Sequence, residues 1–289
     1  MIERICWFDL RESQTFLSIR KLVLRELAGL SDDEVASLSE VEIAKLVSVN
    51  PPDIRTRNDV MLRLEAMLVK LLRDCELRPY GALQFPANVR VLNALRRRAS
   101  REEYSTEHLH CDAWSGAPSD SWNHLLYILA EPGCPRLEMR EPLPIGHPLR
   151  EYVGPYDESV TSQVAGVKAT PIPCRAGVLV AWPTYTPHRT DYQSTSLTDG
   201  STQAPTRVSV DFRARMGLPY VEDRNCPIGD FALTKMNSAG VYWTYRDRQF
   251  LDFEEKAKFE LSVASQQSSD ALRRRREYFA GHYEGLSGL

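Results

Sequence analysis

Apolar residues recur at three-and-four spacing over residues 13–27 and 39–47. They do so most clearly over 59–77, with Val60, Leu62, Leu64, Met67, Leu68, Leu71 and Leu72. Residues 10–78 therefore read as a helical region, interrupted at Pro51-Pro52. Near Pro79-Tyr80-Gly81 the period changes. Short runs rich in β-branched and aromatic residues, at 82–85, 89–92, 122–129, 164–172, 177–182 and 207–215, alternate with Pro, Gly, Asp and Ser turns. Strands so spaced, with no helices between them, predict an antiparallel barrel or sandwich. The helical pattern returns over about 250–283. The expected architecture is mainly β with flanking helices, one domain over 1–289. It has a helical N-terminal region at 10–78, a β core at about 80–218 and a helical C-terminal region at about 250–283.

Two segments, 140–163 and 192–206, carry loop composition, and long loops at a barrel mouth shape a pocket. Composition narrows the function classes. Of 289 residues, 43% are hydrophobic and 26% charged, as in an ordinary globular chain. The formal net charge of −3 gives no general attraction for nucleic acid or anionic membranes. The runs Arg96-Arg97-Arg98 and Arg273-Arg274-Arg275-Arg276 fit solvated helix faces. No stretch approaches the ~20 apolar residues of a membrane span. Six cysteines without CxxC or framework spacing predict reduced thiols in a cytosol. The expected partner is a small-molecule substrate, with no nucleic acid and no membrane.

The candidate chemistry lies in His110-Cys111-Asp112 and in His188, which follows the apolar run Gly177-Val178-Leu179-Val180-Ala181-Trp182. In an extended segment His110 and Asp112 face the same way and Cys111 the other, so one strand end offers two ligands to one metal. His188, bracketed by Pro183 and Pro187, is placed to add a third from a neighbouring strand. Two imidazoles and a carboxylate with open positions suit Fe(II) and O2 better than a closed zinc site. His108 shares the face of His110, so His108/His110 is a rival pair of the cupin kind. Otherwise His108 falls to the pocket wall. His124, in the next strand, reads as a core or pocket residue.

Along 207–213, Arg207, Ser209, Asp211 and Arg213 form one face and Val208, Val210 and Phe212 the other. If the apolar face meets the helices, the polar face points into the barrel, where unsatisfied groups cost several kcal/mol. A bound dicarboxylate would satisfy them, with Arg207 as clamp, Ser209 adding a hydrogen bond and Arg213 as the second candidate. An internal pairing of Asp211 with Arg213 or Arg215 is the alternative.

With His110-x-Asp112, His188 and Arg207-x-Ser209 in this order over 108–213, about a third of the chain resembles the Fe(II)/2-oxoglutarate-dependent oxygenase superfamily. It looks closest to its phytanoyl-CoA-hydroxylase-like and antibiotic-biosynthesis tailoring branches. The resemblance implies a double-stranded β-helix (jelly-roll) core and a metal held by His110, Asp112 and His188. It implies Fe(II) as cofactor, with 2-oxoglutarate and O2 as co-substrates. It also implies hydroxylation, desaturation or cyclisation of a small polar metabolite in secondary metabolism, with release of succinate and CO2. In related halogenases a small residue replaces the carboxylate, so Asp112 argues against halogenation. Similarity further points to Asn123, Gln84 and Arg90 near the co-substrate; Trp114 reads equally as pocket wall or as core packing. The His188-to-Arg207 interval of 19 residues is longer than the family's common one. A cupin-type isomerase or epimerase and a non-catalytic small-molecule-binding barrel remain as alternatives.

Overall fold

Strand β1 (Cys6–Asp9) leads into helix α1 (Gln14–Ala28), which Ser13 caps by accepting a hydrogen bond from the Phe16 amide at 3.3 Å. Helix α2 (Asp32–Ser37) starts on a reciprocal capping box between Ser31 and Glu34, and α3 (Glu40–Val49) and α4 (Asn58–Asp74) follow. In this computed structural model the described residues are 4–49, 51–52, 54, 57–75, 77, 80–83, 87–93, 106–115, 121–150, 152, 158–192, 204–216, 242–243 and 250–251.

The strands are β2 (Tyr80–Leu83), β3 (Asn88–Leu92), β4 (Ser121–Ala130), β5 (Arg136–Arg140), β6 (Ala169–Thr170), β7 (Val178–Pro183), β8 (His188–Asp191) and β9 (Arg207–Met216). They form two antiparallel sheets. The large one runs β1-β7-β4-β9-β2, with β3 also on β9, and the small one runs β6-β5-β8. His110 extends the small sheet by a bridge to His188. The chain changes sheet at β4–β5, β6–β7, β7–β8 and β8–β9. With β3-β9-β4-β7 facing the bridge-β8-β5-β6 set, this is the expected jelly roll.

Alternation assigns the faces. On β4, Leu125 and Tyr127 pack with Leu137 and Met139 of β5 and with Val178, Val180 and Trp182 of β7, filling the space between the sheets. The intervening Leu126 and Ile128 join Leu179, Ala181, Val208, Val210 and Phe212 against Ile19, Val23, Leu64 and Leu68 of the helices. The helices thus cover the outer wall of the large sheet. The polar face of β9 is left to the interior, as the sequence pattern predicts.

Two expectations are corrected. Residues 164–172 are not one strand: Ser162–Val164 form a 3-10 turn, and only Ala169–Thr170 pair, with β5. The Ser159 carbonyl accepts from Ser162 and Gln163, which winds this segment, and Val164 is buried beside Trp114 and Leu149 rather than in a sheet. At the C-terminus, Phe250–Leu251 (β11) pair with Tyr242–Trp243 (β10) where a helix is expected to begin. Cross-strand pairing there overrides the helical period. The remainder of 250–283 lies outside the described residues. Among those described, no helix is long and apolar enough to cross a membrane.

Gly177 enters β7 at φ 82°, donating to the Tyr127 carbonyl and accepting from Leu10. A Cβ there would stand 2.6 Å from Arg11 Cγ and 3.1 Å from Arg11 backbone, whereas at Gly146, with a similar φ, nothing lies within 4 Å. Both alanine variants meet the left-handed penalty of about 1–2 kcal/mol, and only Gly177→Ala adds a clash. Urea unfolding is expected to show the larger loss for Gly177→Ala. Equal losses would mean that the approach of Arg11 is not a constraint.

Candidate metal centre and anion pocket

His110 and His188 exchange backbone hydrogen bonds, His110 donating to the His188 carbonyl at 3.0 Å and His188 to the His110 carbonyl at 2.8 Å. This bridge sets their rings 4.5 Å apart. The chain then leaves the strand path, and Asp112 opens a 3-10 turn, Asp112–Ser115. The i, i+2 spacing works, but as a strand end passing into a turn and not as one continuous strand. Trp114 anchors that turn. It is fully buried, donates its indole N–H to the Leu149 carbonyl at 2.7 Å, and meets Tyr152 edge-on. Trp114 is therefore core beneath the site.

His110 Nε2 lies 3.8 Å from Asp112 Oδ1, and His188 Nε2 lies 3.9 Å from Asp112 Oδ2. These gaps are too long for hydrogen bonds and suit groups arranged around a shared cation. The three ligand atoms all lie within 4.8 Å of one another. His110 Nδ1 is 2.8 Å from the His108 carbonyl and His188 Nδ1 is 2.9 Å from the Thr186 carbonyl. Each contact assigns the proton to Nδ1 and turns the Nε2 lone pair toward Asp112. The peptide carbonyl of His108 thus orients the first ligand, and the cluster contains Asp112 and not the His108 side chain.

Burial, with the neighbouring His188, lowers His110 to about 3, so the imidazole is neutral at ordinary pH. For Asp112 burial pulls upward, but Arg213 and the two imidazoles outweigh it and hold the carboxyl far below its usual range. A neutral His110 imidazole and an ionised Asp112 carboxylate are protonation states that suit a divalent metal.

Arg213 stands directly across the strands from Asn123. Its Nε donates to Asn123 Oδ1 at 3.0 Å and its Nη2 lies 3.3 Å from Asp112 Oδ1. That places it on the metal-facing carboxylate. Asp211 pairs with Arg90 across from β3, and not with Arg213.

The same cavity runs inward from the triad along Leu125, Leu137, Trp182, Thr190 and Arg207, enclosing about 560 Å3 including its open mouth. Arg207, at 1% exposure, is among the largest fully buried side chains. Its Nη1 donates to the Pro135 carbonyl at 3.0 Å, but its Nε has no partner, nor does the buried Ser209 Oγ beside it on the strand face. A buried guanidinium with one neutral acceptor is costly unless an anion completes it.

Gln84, also singled out in the sequence, lies outside the described residues. His124 is structural: it stacks on Phe212 with ring centroids 4.8 Å apart, on the helix-covered face. Sequence reading missed Thr190 and Trp182. Thr190 follows His188 by two positions on one strand and so shares its face, which was a usable signal. Trp182 meets the His188 ring edge-on at 5.3 Å, a contact that spacing does not announce.

No protein-family model matches the chain, and no curated protein matches it. Solved structures superpose on it only loosely. HygX from Streptomyces hygroscopicus, with nickel and 2-oxoglutarate bound, is 14% identical with a TM-score of 0.36, covering 73% of this chain and 82% of its own. AviO1 from Streptomyces viridochromogenes Tue57 is 12% identical with a TM-score of 0.39, covering 74% and 90%. An N-substituted L-amino acid dioxygenase from Burkholderia ambifaria is 14% identical with a TM-score of 0.37, covering 76% and 83%. Likeness at this level leaves the chemistry to be read from the side chains.

His124 is also lowered, to about 3, by burial. Because the folded values of His110 and His124 lie below the unfolded value of 6.5, the unfolded chain takes up these protons first. Stability is complete above about pH 6.5 and falls as pH drops toward 3. Each histidine contributes a loss of about 2 kcal/mol by pH 5. Urea unfolding of the metal-free protein at pH 7 and 5 measures this, and His124→Gln is expected to shrink the difference. An unchanged difference in that variant would show that His124 is not buried in the neutral form.

Proposed function

We propose that this protein is an Fe(II)- and 2-oxoglutarate-dependent oxygenase acting on a small polar metabolite. The observation that carries the reading is one cavity holding both a buried His110–Asp112–His188 cluster and an incompletely partnered Arg207 guanidinium beside Ser209. In this reading His110 Nε2, His188 Nε2 and an Asp112 oxygen hold the iron, leaving positions for two co-substrates. Arg207 receives the far carboxylate of 2-oxoglutarate through its fork of N–H donors, and Ser209 adds a hydrogen bond.

When bound, iron and 2-oxoglutarate supply the oxidising chemistry, with succinate and CO2 as co-products. The protein's part is orientation. The His108 and Thr186 carbonyls fix the two imidazoles. Arg213 occupies one carboxylate oxygen of Asp112. Trp182 packs edge-on against the His188 ring. Asn88, Arg90, Thr106, Asn123 and Asp211 make the mouth polar, which supports a polar substrate over a long lipid. Hydroxylation is the outcome proposed, with desaturation or cyclisation as variants on the same site, in secondary metabolism. Ferrous iron and free thiols fit a reducing, cytoplasmic setting.

Anaerobic addition of Fe(II) and then 2-oxoglutarate is expected to produce a visible metal-to-ligand charge-transfer band. His188→Ala and Asp112→Ala should lose substrate-dependent succinate formation. Arg207→Met should weaken 2-oxoglutarate by about 10–100-fold, the worth of about 1.5–3 kcal/mol for a charge-assisted contact. A bound metal with no such band would instead favour a cupin-type isomerase. A protein that takes up no stoichiometric metal would be a binding barrel.

A further inference from the structure

Close to the Arg207 guanidinium, two cysteines meet. Cys134 lies in the turn after β4, where its amide donates to the Glu131 carbonyl and Gly133 adopts φ 82°. Cys174 lies in the segment leading to β7. Their sulfurs are 3.8 Å apart, although 40 positions separate them in sequence. Cys134 is buried and Cys174 is half-buried. The turn that carries Cys134 also carries Pro135, whose carbonyl accepts the one hydrogen bond of the Arg207 guanidinium among the described residues.

We propose that Cys134 and Cys174 form a peroxide-reactive dithiol that closes to a disulfide and, through Pro135, displaces Arg207. The effect on 2-oxoglutarate rests on the function proposed above, but the disulfide itself does not.

The chemistry fits the placement. A hydrogen bond from Cys134 holds the Cys174 thiol below its ordinary value, and the Arg207 and Arg136 guanidiniums add to this. The same bond and burial push Cys134 up. Cys174 is therefore the attacking thiolate and, being half-buried, the one a small oxidant reaches. Its sulfur takes one oxygen of hydrogen peroxide, the O–O bond breaks, and the departing hydroxide is protonated to water. The resulting sulfenic acid is attacked by the Cys134 sulfur, its S–O bond breaks, and the hydroxide leaves as a second water with the Cys134 proton. In sum, two thiols and one peroxide give one disulfide and two waters. The two sulfurs lose the two electrons that the peroxide gains.

Closure brings the sulfurs from 3.8 Å to about 2.05 Å. One peptide link separates Cys134 from the acceptor of Arg207, so a backbone shift of the turn on closure carries that carbonyl with it. Among the other described cysteines, Cys111 faces the apolar cluster around Trp114, and burial raises Cys6 and Cys75.

The test treats the full-length protein with hydrogen peroxide, alkylates free thiols, and maps peptides by mass spectrometry. In parallel, 2-oxoglutarate affinity is measured anaerobically before oxidation, after it, and after dithiothreitol. A Cys134–Cys174 linked peptide is expected, with affinity falling at least tenfold and recovering on reduction. Cys134→Ser should leave Cys174 as a sulfenic acid with affinity unchanged, and Cys174→Ser should resist peroxide at both positions. Absence of the linked peptide at saturating peroxide overturns the dithiol. A linked peptide with unchanged affinity overturns the coupling to Arg207. Failure of the reduced protein to bind 2-oxoglutarate would count against the oxygenase reading, while the peptide map still decides the disulfide.

Discussion

The reciprocal backbone bridge between His110 and His188 is the contact on which the site depends. Two peptide hydrogen bonds contribute only about 0.5–1.5 kcal/mol each. Their force is geometric, because they add an outlying segment to the edge of a sheet whose register is already set by β5 and β8. Once His110 stands opposite His188, its neighbour Asp112 can only turn into the space between the two rings. Trp114, locked to the Leu149 carbonyl, prevents that turn from unwinding. A metal-capable cluster thus follows from one register and one buried indole.

The interior of this jelly roll divides along its length. Near β5 and β7 it is apolar, with Met139, Val178 and Val180 packed behind Leu125 and Leu137 of the cavity wall. Along β9 the inward face is Arg207, Ser209, Asp211 and Arg213 instead. The outer half of that row is ion-paired from within, Arg213 with Asp112 and Asp211 with Arg90, though Asn123 Nδ2 and Asp211 Oδ1 have no hydrogen-bond partner. The deep half is not, and Arg207 and Ser209 keep polar atoms without acceptors or donors. A row of buried polar groups that the protein only partly satisfies suits a ligand better than it serves stability, which would favour an apolar row there.

Much of this was legible in the chain because long amphipathic patterns fix faces without knowledge of partners. The α1 and α4 helices and the two-faced β9 strand are of this kind. The short strands β5 and β8 were not recognised. Their outward residues Arg136, Glu138, Arg140, Arg189 and Asp191 pair with one another, and in sequence they look like loop charges. Residues 164–172 failed for the opposite reason: apolar content implied a strand where side-chain-to-backbone bonds wind a turn. The three candidate ligands could be seen from the i, i+2 spacing of His110 and Asp112 together with the apolar run before His188 and the two-faced strand after it. The position of Arg213 on Asp112 could not, because it depends on the register that sets Asn123 opposite it. The structural part of His108 was hidden too, since its carbonyl and not its ring meets the site.

The most direct measurement is an anaerobic crystal structure with Mn(II) and 2-oxoglutarate. The account predicts a metal bonded to His110 Nε2, Asp112 and His188 Nε2, with a carboxylate of the co-substrate forked on Arg207 and bonded to Ser209. Metal bound elsewhere, or an Arg207 that still meets only the Pro135 carbonyl while 2-oxoglutarate is bound, would contradict it.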